Sequence, residues 1–321
     1  MKPELSIIIP CYNSERTLRE AVDSCFKQGL TKPFEIIMVD DKSTDNTIEV
    51  MRTLAGQHPE IQLFFHGTNL GGGATRNTAV KNSTGNVIFC LDSDDILPDR
   101  TLVRMLAALT SRNSDGLTIH RSIKFSGTDI QKVHHVDSPT EIDSKITLES
   151  LLQKNGLFCP LYVNFMYTRK AFNKLGGYPI SHGFDTQGFA WRFICSGLTA
   201  YVCKDAEYLH RIHFNESYYL REYNFGKSNY NWKSILLEQY YIFNKKTLDY
   251  ILGYKCNDFT RNILVDLINR GDLLIPDVQG ELGKKHPNFK IKLPEPIYIK
   301  RNSLRGYYFR IKNRILKLTI N

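Results

Sequence analysis

Short apolar runs and amphipathic stretches alternate along the first third of the chain. The segments Leu5 to Pro10, Phe34 to Val39 and Val87 to Leu91 are rich in Ile, Val and Phe, a composition typical of buried strands. Between them, apolar residues recur at helical spacing, as they do within residues 17–25 and 48–54. Strand and helix in alternation predict an α/β fold, with a mostly parallel sheet flanked by helices.

Each of these three strands, and a further strand-like segment at 62–66, is followed by a polar segment. The four segments are PCYN at 10–13, DDKS at 40–43, the stretch that reaches Asn69, and DSDD at 92–95. Since the carboxyl ends of parallel strands share one edge of a sheet, and ligands of open α/β folds gather there, we expect these segments to form one binding site.

The most acidic of these segments places Asp92 and Asp94 on either side of Ser93. In an extended backbone this spacing points both carboxylates to the same side. Carboxylate oxygens suit Mg²⁺ or Mn²⁺, completed by phosphate oxygens and water. The alternative is a solvated loop with a helix cap at Asp95 or Asp99.

The pattern weakens after residue 111. We expect the last edge strands of the sheet within 111–143, then an apolar and aromatic segment at 157–167 and a helix that starts near Arg169. A Gly-Gly turn at 176–177 precedes another helix that runs to Cys195. Beyond residue 215 the chain becomes rich in Tyr, Asn and Lys, which predicts a mainly helical C-terminal appendage.

Composition and charge narrow the class of protein. The 321 residues are 42% hydrophobic, as in ordinary globular proteins, and carry a formal net charge of +9. The apolar runs are too short to cross a bilayer, and the start of the chain lacks the pattern of a secretory signal, so we expect a cytoplasmic protein. Seven cysteines without a C-x-x-C pair argue against a disulfide framework or a zinc site. The positive charge favours an anionic partner, which could be a nucleotide, a lipid surface or a nucleic acid.

Residues 301–321 carry apolar side chains at helical spacing among six Arg and Lys residues, which are Arg301, Arg305, Arg310, Lys312, Arg314 and Lys317. Such a basic amphipathic helix can lie on an anionic membrane surface, so peripheral membrane contact is one prediction. The other is a packed terminal helix with a solvated basic face.

Three ordered motifs carry a family resemblance: SIIIPCYNSERTLREAVDSC, EIIMVDDKSTDNT and NLGGGATRNTAVKNSTGNVIFCLDSDD. Together they closely resemble the nucleotide-sugar glycosyltransferases of family 2, over about residues 4–110 and more weakly to 217. The resemblance implies a GT-A (Rossmann-like) catalytic domain at 1–217, with a nucleotide-binding half at 1–110 and an acceptor-side half at 111–217. The helical, basic region then spans 218–321.

The same resemblance assigns residues to the donor nucleotide. Pro10 and Tyr12 match the P-x-Y-N element that frames the nucleobase, and Asp41 matches the acid that contacts the uracil or ribose. Asn69 and Arg76 match the positions near the nucleotide and its phosphates. From the residues themselves, Tyr12 could be a packed strand-end aromatic, and Arg76 could form a structural salt bridge.

The resemblance also implies a metal site. Asp92 and Ser93 match the sugar-nucleotide loop, and Asp94 matches the direct ligand of Mn²⁺ or Mg²⁺. His213 is the last residue of a Y-x-x-R-x-H element at 208–213 and matches a late metal ligand, although a lone His is often an ordinary structural residue. Lys42 departs from the family, which usually has Gly there, so a positive φ at this position would strain the loop.

The catalytic base of the family is an acid shortly before a helix with a W/L-R element. The matching stretch here is GFDTQGFAWRFICSG, which places Asp185 at the base position and Thr186 where a second acid is usual. Asp185 could instead be a helix cap. Asp205 and Glu207 are the reserve candidates.

The resemblance therefore implies a metal-dependent, inverting transfer of a sugar, non-processive because the chain lacks the added transmembrane helices and the Q-x-x-R-W element of processive synthases. The expected donor is a UDP-sugar, and the acceptor is a hydroxyl of a glycan, a lipid-linked or a protein-linked molecule. Alternatives are a nucleotidyltransferase and a catalytically inactive binding protein of the same fold. A nucleic-acid-binding module would use the positive charge but would not explain the ordered motifs, so no nucleic-acid partner is expected.

Overall fold

The computed structural model describes five stretches of the chain, residues 2–127, 129–137, 145–147, 165–180 and 185–212. The predictions for His213, for the appendage at 218–321 and for its basic C-terminal helix lie outside the described residues.

Within these stretches, eight strands form one mixed sheet. They are β1 Leu5–Cys11, β2 Phe34–Asp40, β3 Ile61–Phe65, β4 Val87–Cys90, β5 Gly116–Ser126, β6 Asp129–Asp137, β7 Phe165–Thr168 and β8 Ala200–Arg211. Their spatial order is β3-β2-β1-β4-β7-β5-β6, and β8 pairs with β5. The first four strands are parallel to one another, which confirms the predicted α/β sheet.

Six helices flank the sheet in the described residues. They are α1 Leu18–Phe26, α2 Thr47–Gln57, α3 Gly72–Asn82, α4 Thr101–Ser111, α5 Arg169–Leu175 and α6 Asp185–Cys195. Side chains of α1, α2 and α4 share a core with Ile7 and Ile9 of β1. Ile8 is buried as well and, because side chains alternate along a strand, points to the opposite face. Both faces of β1 are therefore covered, as a parallel strand requires.

The expectation of edge strands within 111–143 is right for β6 and wrong for β5. Strand β5 pairs antiparallel with β7 and with β6, and it also runs parallel to β8 over most of its length. The close contact between β5 and β7 depends on Gly116, where a Cβ atom would lie 2.6 Å from the ring of Phe165. This second part of the sheet brings the end of β8 against the loop that follows β4.

Among the described residues, no helix combines the length and the apolar character needed to cross a bilayer.

Candidate active site

The residues Asp92 to Asp95, which we call the acid turn, follow β4 directly. The amide of Asp95 donates to the carbonyl oxygen of Asp92 at 3.2 Å, so the segment is a turn and not the extended backbone that the alternation argument assumed. Asp92 and Asp94 are nevertheless partly exposed, while Ser93 between them and Asp95 after them are buried. The expected cation ligand Asp94 and the expected nucleotide contact Asp92 are thus the carboxylates of the turn that reach the surface.

The start of α1 holds the acid turn from one side. The hydroxyl of Ser93 lies 2.6 Å from the hydroxyl of Ser14, and Thr17 Oγ1 donates to the carbonyl oxygen of Ser93 at 3.0 Å. The side chain of Ser93 is thus engaged inside the protein, and its expected contact with a sugar nucleotide stays a prediction.

The end of β8 holds the acid turn from the other side. The amide of Asp92 donates to the hydroxyl of Tyr208 at 3.3 Å, and Arg211 Nε donates to the carbonyl oxygen of Asp94 at 2.8 Å. The amide of Arg211 donates to Asp95 Oδ1 at 2.7 Å. Sequence reasoning gave neither Tyr208 nor Arg211 a role, although both belong to the Y-x-x-R-x-H element that it noted for His213.

His210, on the same strand, forms a pair with Asp95. Its Nδ1 atom lies 3.2 Å from Asp95 Oδ2. Burial alone would lower the pKa of His210, but the charge and hydrogen bond of Asp95, together with the charges of Asp94 and Asp92, raise it to about 9. A protonated imidazole therefore compensates one charge of the acid turn at neutral pH.

Arg76, from α3, joins the acid turn to α6. Its Nη2 donates to Asp92 Oδ1 at 2.6 Å, and its Nη1 donates to Asp185 Oδ2 at 2.7 Å. Its Nε donates to Cys90 Sγ at 3.3 Å. The structural salt bridge, which was the alternative role for Arg76, is present. The guanidinium of Arg76 lies between Asp92 and the expected base Asp185 and bonds both.

The acid turn is electrostatically crowded. Burial raises the pKa of Asp92, Arg76 lowers it, and the neighbouring carboxylates of Asp95 and Asp94 raise it again, to about 6 in total. Burial and the neighbouring carboxylates together therefore outweigh the pairing of Asp92 with Arg76.

The reserve candidates for the base lie elsewhere on β8. Glu207 Oε1 accepts from Arg121 Nη1 at 2.6 Å, on the neighbouring strand, and the carbonyl oxygen of Asp205 accepts from Arg104. Of the three candidates, Asp185 is the one whose carboxylate shares a guanidinium partner with the acid turn.

The expected nucleoside end lies at the carboxyl ends of β1 and β2. Tyr12 is 51% exposed directly after β1, so its ring is available to a ligand. The buried carboxylate of Asp41 accepts from the amides of Leu70 and Gly71, both at 2.7 Å, and lies 3.0 Å from His66 Nδ1. Asp41 thereby fixes the loop that contains Asn69.

Two further features lie at this end. Asp40 Oδ2 accepts from the amide of Ser43 at 3.1 Å. Lys42 has a φ of 66°, in the left-handed region that favours glycine. Pro10 lies within β1, opposite Val39 of β2.

The acid turn fits a divalent cation that is shared with a phosphate ligand. No three His, Cys, Asp or Glu side chains of the described residues are grouped as a complete metal cage. Asp92 and Asp94 offer oxygen atoms of the kind that Mg²⁺ and Mn²⁺ prefer, and both are partly exposed. Such cations usually keep a few protein ligands and complete their coordination with phosphate and water.

Comparison with known proteins identifies the family. The sequence model of glycosyl transferase family 2 matches residues 6–176, more than half of the chain. The chain belongs to glycosyl transferase family 2. The match begins in β1 and ends at the Gly-Gly turn after α5.

Curated relatives of this family 2 chain come from several bacteria. The poly(ribitol-phosphate) beta-glucosyltransferase of Bacillus spizizenii is 28% identical over 200 residues, which are 57% of this chain and 31% of the relative. An uncharacterized glycosyltransferase of Haemophilus influenzae is 38% identical over 104 residues, which are 32% of this chain and 41% of the relative. The chain thus spans less than half the length of these relatives.

Solved structures show the same fold. A crystal structure of residues 1–349 of TarS from S. aureus in complex with UDP has a TM-score of 0.57 and 22% identity, covering 91% of this chain and 76% of that one. The mannosyltransferase PcManGT of Pyrobaculum calidifontis, in complex with GDP-Man and Mn²⁺, has a TM-score of 0.54 and 17% identity, covering 99% of this chain and 81% of that one. The expected GT-A fold is confirmed.

Proposed function

We propose that this chain transfers a sugar from a nucleotide-sugar, with UDP-sugars as the first choice, to an acceptor hydroxyl, with inversion and with the help of Mn²⁺ or Mg²⁺. The observation that carries the proposal is the meeting of the acid turn with Asp185 through Arg76, in a family 2 chain. Donor-side and acceptor-side acids then flank one reaction centre.

The donor would lie along the carboxyl ends of β1, β2 and β4. Tyr12 offers an exposed ring for the nucleobase, and the loop held by Asp41, which contains Asn69, would border the nucleotide. The diphosphate would then reach Asp94, whose carboxylate would hold the cation. A bound cation would neutralise the charge that develops on the leaving diphosphate.

Asp185 would act as the general base. An inverting displacement needs a base that takes the acceptor proton on the side opposite the leaving group. Asp185 is separated from Asp92 by the guanidinium of Arg76, so the two acids approach the centre from different elements. The Thr186 that replaces the usual second acid leaves this task to Asp185.

UDP-sugars are favoured as donors by the names of similar proteins. Structures similar to this chain include TarS with UDP and TarS with UDP-GlcNAc, and a glucosyltransferase of Escherichia coli named for UDP-Glc is 30% identical over 155 residues. The complex of PcManGT with GDP-Man keeps GDP-sugars as the competing class.

The acceptor is expected to be a glycan, a lipid-linked or a protein-linked molecule. Relatives are named for poly(ribitol-phosphate) and for a diphosphoundecaprenol-linked sugar, both of which carry phosphate. The net charge of +9 suits an anionic acceptor or peripheral contact with an anionic membrane. We expect single or limited addition of sugars.

The test is donor binding and turnover by purified full-length chain. UDP-, GDP- and CMP-sugars are compared with Mn²⁺, Mg²⁺ or EDTA, for the wild type and for Asp94→Ala. Cation-dependent use of one UDP-sugar, lost in Asp94→Ala, supports the proposal. Binding without hydrolysis or transfer points to an inactive binding protein, and failure to bind any nucleotide-sugar rejects a transferase.

A further inference from the structure

The first turn of helix α3 packs closely against Pro179 and Asp185 of the acceptor-side half. A Cβ atom on Gly73 would lie 2.0 Å from the carbonyl oxygen of Pro179 and 3.1 Å from Asp185 Cβ. A Cβ atom on Gly72 would lie 2.6 Å from Arg76 Nη1 and 3.0 Å from Asp185 Oδ2. Contacts below 3.0 Å require something to shift, so two glycines make room for this approach.

The next turn of α3 adds a polar clamp. Asn77 Nδ2 donates to the carbonyl oxygen of Tyr178 at 2.9 Å, and Asn77 Oδ1 accepts from the amide of Tyr178 at 2.7 Å. Gly177, at a φ of 96°, lets the backbone come this close to Asn77. Residues 72, 73, 76 and 77 of α3, which we call the α3 joint, therefore contact both Asp185 and the Gly-Gly turn that follows α5.

Arg76 is the charged member of the α3 joint, and it faces both halves. Its side chain is 9% exposed, and those of Asp92 and Asp185 are 19% and 12% exposed. Two ends of one planar guanidinium thus set the separation of the two carboxylates. Because a buried ion pair that loses one partner leaves an uncompensated charge, the positions of Asp92 and Asp185 depend on each other.

We propose that Arg76 is a positioning residue: it holds Asp185 relative to the acid turn and transmits donor binding at Asp92 and Asp94 to helix α6. This inference rests on the proposed function, because it assumes a donor at the acid turn and a base at Asp185. It differs from direct phosphate binding by Arg76, because the guanidinium acts here through two carboxylates of the protein.

The experiment compares Arg76→Lys and Gly72→Ala with the wild type. Lys keeps the charge but offers one nitrogen atom in place of the two, Nη1 and Nη2, that hold Asp185 and Asp92 apart. The methyl group added by Gly72→Ala would press on the Arg76–Asp185 pair without removing a charge. Arg169→Met is the matched control, since Arg169 donates to Gly85, Val80 and Ser83. Thermal unfolding first establishes that each variant folds.

Three readouts then separate the outcomes. Titration calorimetry with UDP and Mn²⁺ measures donor-side binding, and steady-state kinetics give kcat and KM for the donor. Hydrogen exchange of the α6 amides measures whether the effect of UDP binding reaches α6. We expect UDP to slow this exchange in the wild type and in Arg169→Met but not in the two test variants. In these, kcat should fall about 100-fold, as for a displaced catalytic group, while the donor KM changes less than about threefold.

Two results would overturn the inference. If Arg76→Lys weakens UDP binding as much as Asp94→Ala while Gly72→Ala leaves kcat unchanged, Arg76 contacts the phosphates directly. If α6 is protected equally in all variants, α6 does not respond through Arg76. If the wild type binds no UDP or other nucleotide, the proposed function fails first, and calorimetry alone shows it.

Discussion

Lys42 is a single residue whose backbone conformation runs against its side chain. Its φ of 66° costs an L-residue other than Gly about 1–2 kcal/mol, and the larger unfolded-state entropy of Gly offsets part of the gain from removing that strain. We therefore expect Lys42→Gly to raise the free energy of unfolding by about 0.5–1 kcal/mol, measured by chemical denaturation. Lys42→Ala is the control, because it keeps the Cβ atom. Equal gains from both substitutions would show that charge, and not backbone strain, is the cause.

His210 gives stability a defined pH dependence. Its pKa of about 9 lies above the ordinary value of 6.5, so its contribution is complete below pH 6.5 and is lost as the pH rises through 9. The loss should be roughly 1–2 kcal/mol, after allowance for the exposed third of the ring. Thermal unfolding between pH 6.5 and 9.5 should therefore show a smaller decline for His210→Gln than for the wild type.

The matched variant for His210 is His58→Gln. His58 stacks on Phe26 with ring centroids 4.1 Å apart, so its replacement should leave the alkaline decline as it is in the wild type. An unchanged decline in His210→Gln would show that another group controls stability in this range.

At the scale of elements, the first turn of α3 can be tested with two Gly→Ala substitutions. Gly73→Ala places a methyl group against the carbonyl oxygen of Pro179, and we expect a loss of about 1–3 kcal/mol from this overpacking. Gly56, in α2, has open space around its Cβ position, so Gly56→Ala should stabilise the protein by about 0.5–1 kcal/mol. Urea unfolding of both variants measures the contrast, and a neutral Gly73→Ala would contradict the tight fit.

The contribution of β8 contacts to stability can be tested with two arginines of unequal burial, Arg211 on β8 and Arg121 on the neighbouring strand β5. Arg211 lies 4.6 Å from the ring centroid of Phe125 and contacts Glu20 besides the acid turn. We expect Arg211→Met to cost about 2–4 kcal/mol, since Glu20 and the carbonyl oxygen of Asp94 lose a charged partner that is itself buried. Arg121→Met breaks a half-exposed pair with Glu207 and should cost about 0–1 kcal/mol. Similar losses in the two variants, measured by urea unfolding, would show that Arg211 contributes no more than an exposed ion pair.

The elements differ in how far the sequence predicts them. The apolar runs of β1, β2 and β4 indicate buried parallel strands, because both of their faces are covered. Strand β8 mixes buried residues with exposed Lys204 and Asp205. Its pattern of apolar and polar residues therefore does not predict a strand unless the pairing with β5 is known. The placement of β5 inside the sheet also escaped prediction, because pairing partners far apart in the chain leave no local pattern.

At the scale of the molecule, one part of the candidate site could be predicted from the sequence and another part could not. Asp92, Asp94 and Asp41 follow predicted strands, so their shared edge of the sheet could be foreseen. The bonds of Arg76 with Asp185, 109 residues away, and of Arg211 with the acid turn join distant parts of the chain. No periodicity or spacing encodes such contacts, and the family resemblance supplied Asp185 without its partner.

Donor binding should stabilise the whole chain only when a cation is present. A ligand at 100 times its Kd raises the free energy of unfolding by about 2.7 kcal/mol, so UDP with Mn²⁺ should raise the Tm of the full chain and EDTA should cancel the gain. Asp92 has a pKa of about 6. At pH 5 its carboxylate is therefore protonated, and the proton competes with the cation for the acid turn. The gain should therefore be smaller at pH 5 than at pH 7.5, and smaller still in Asp94→Asn. A gain that survives EDTA, or grows at pH 5, would place the nucleotide away from the acid turn.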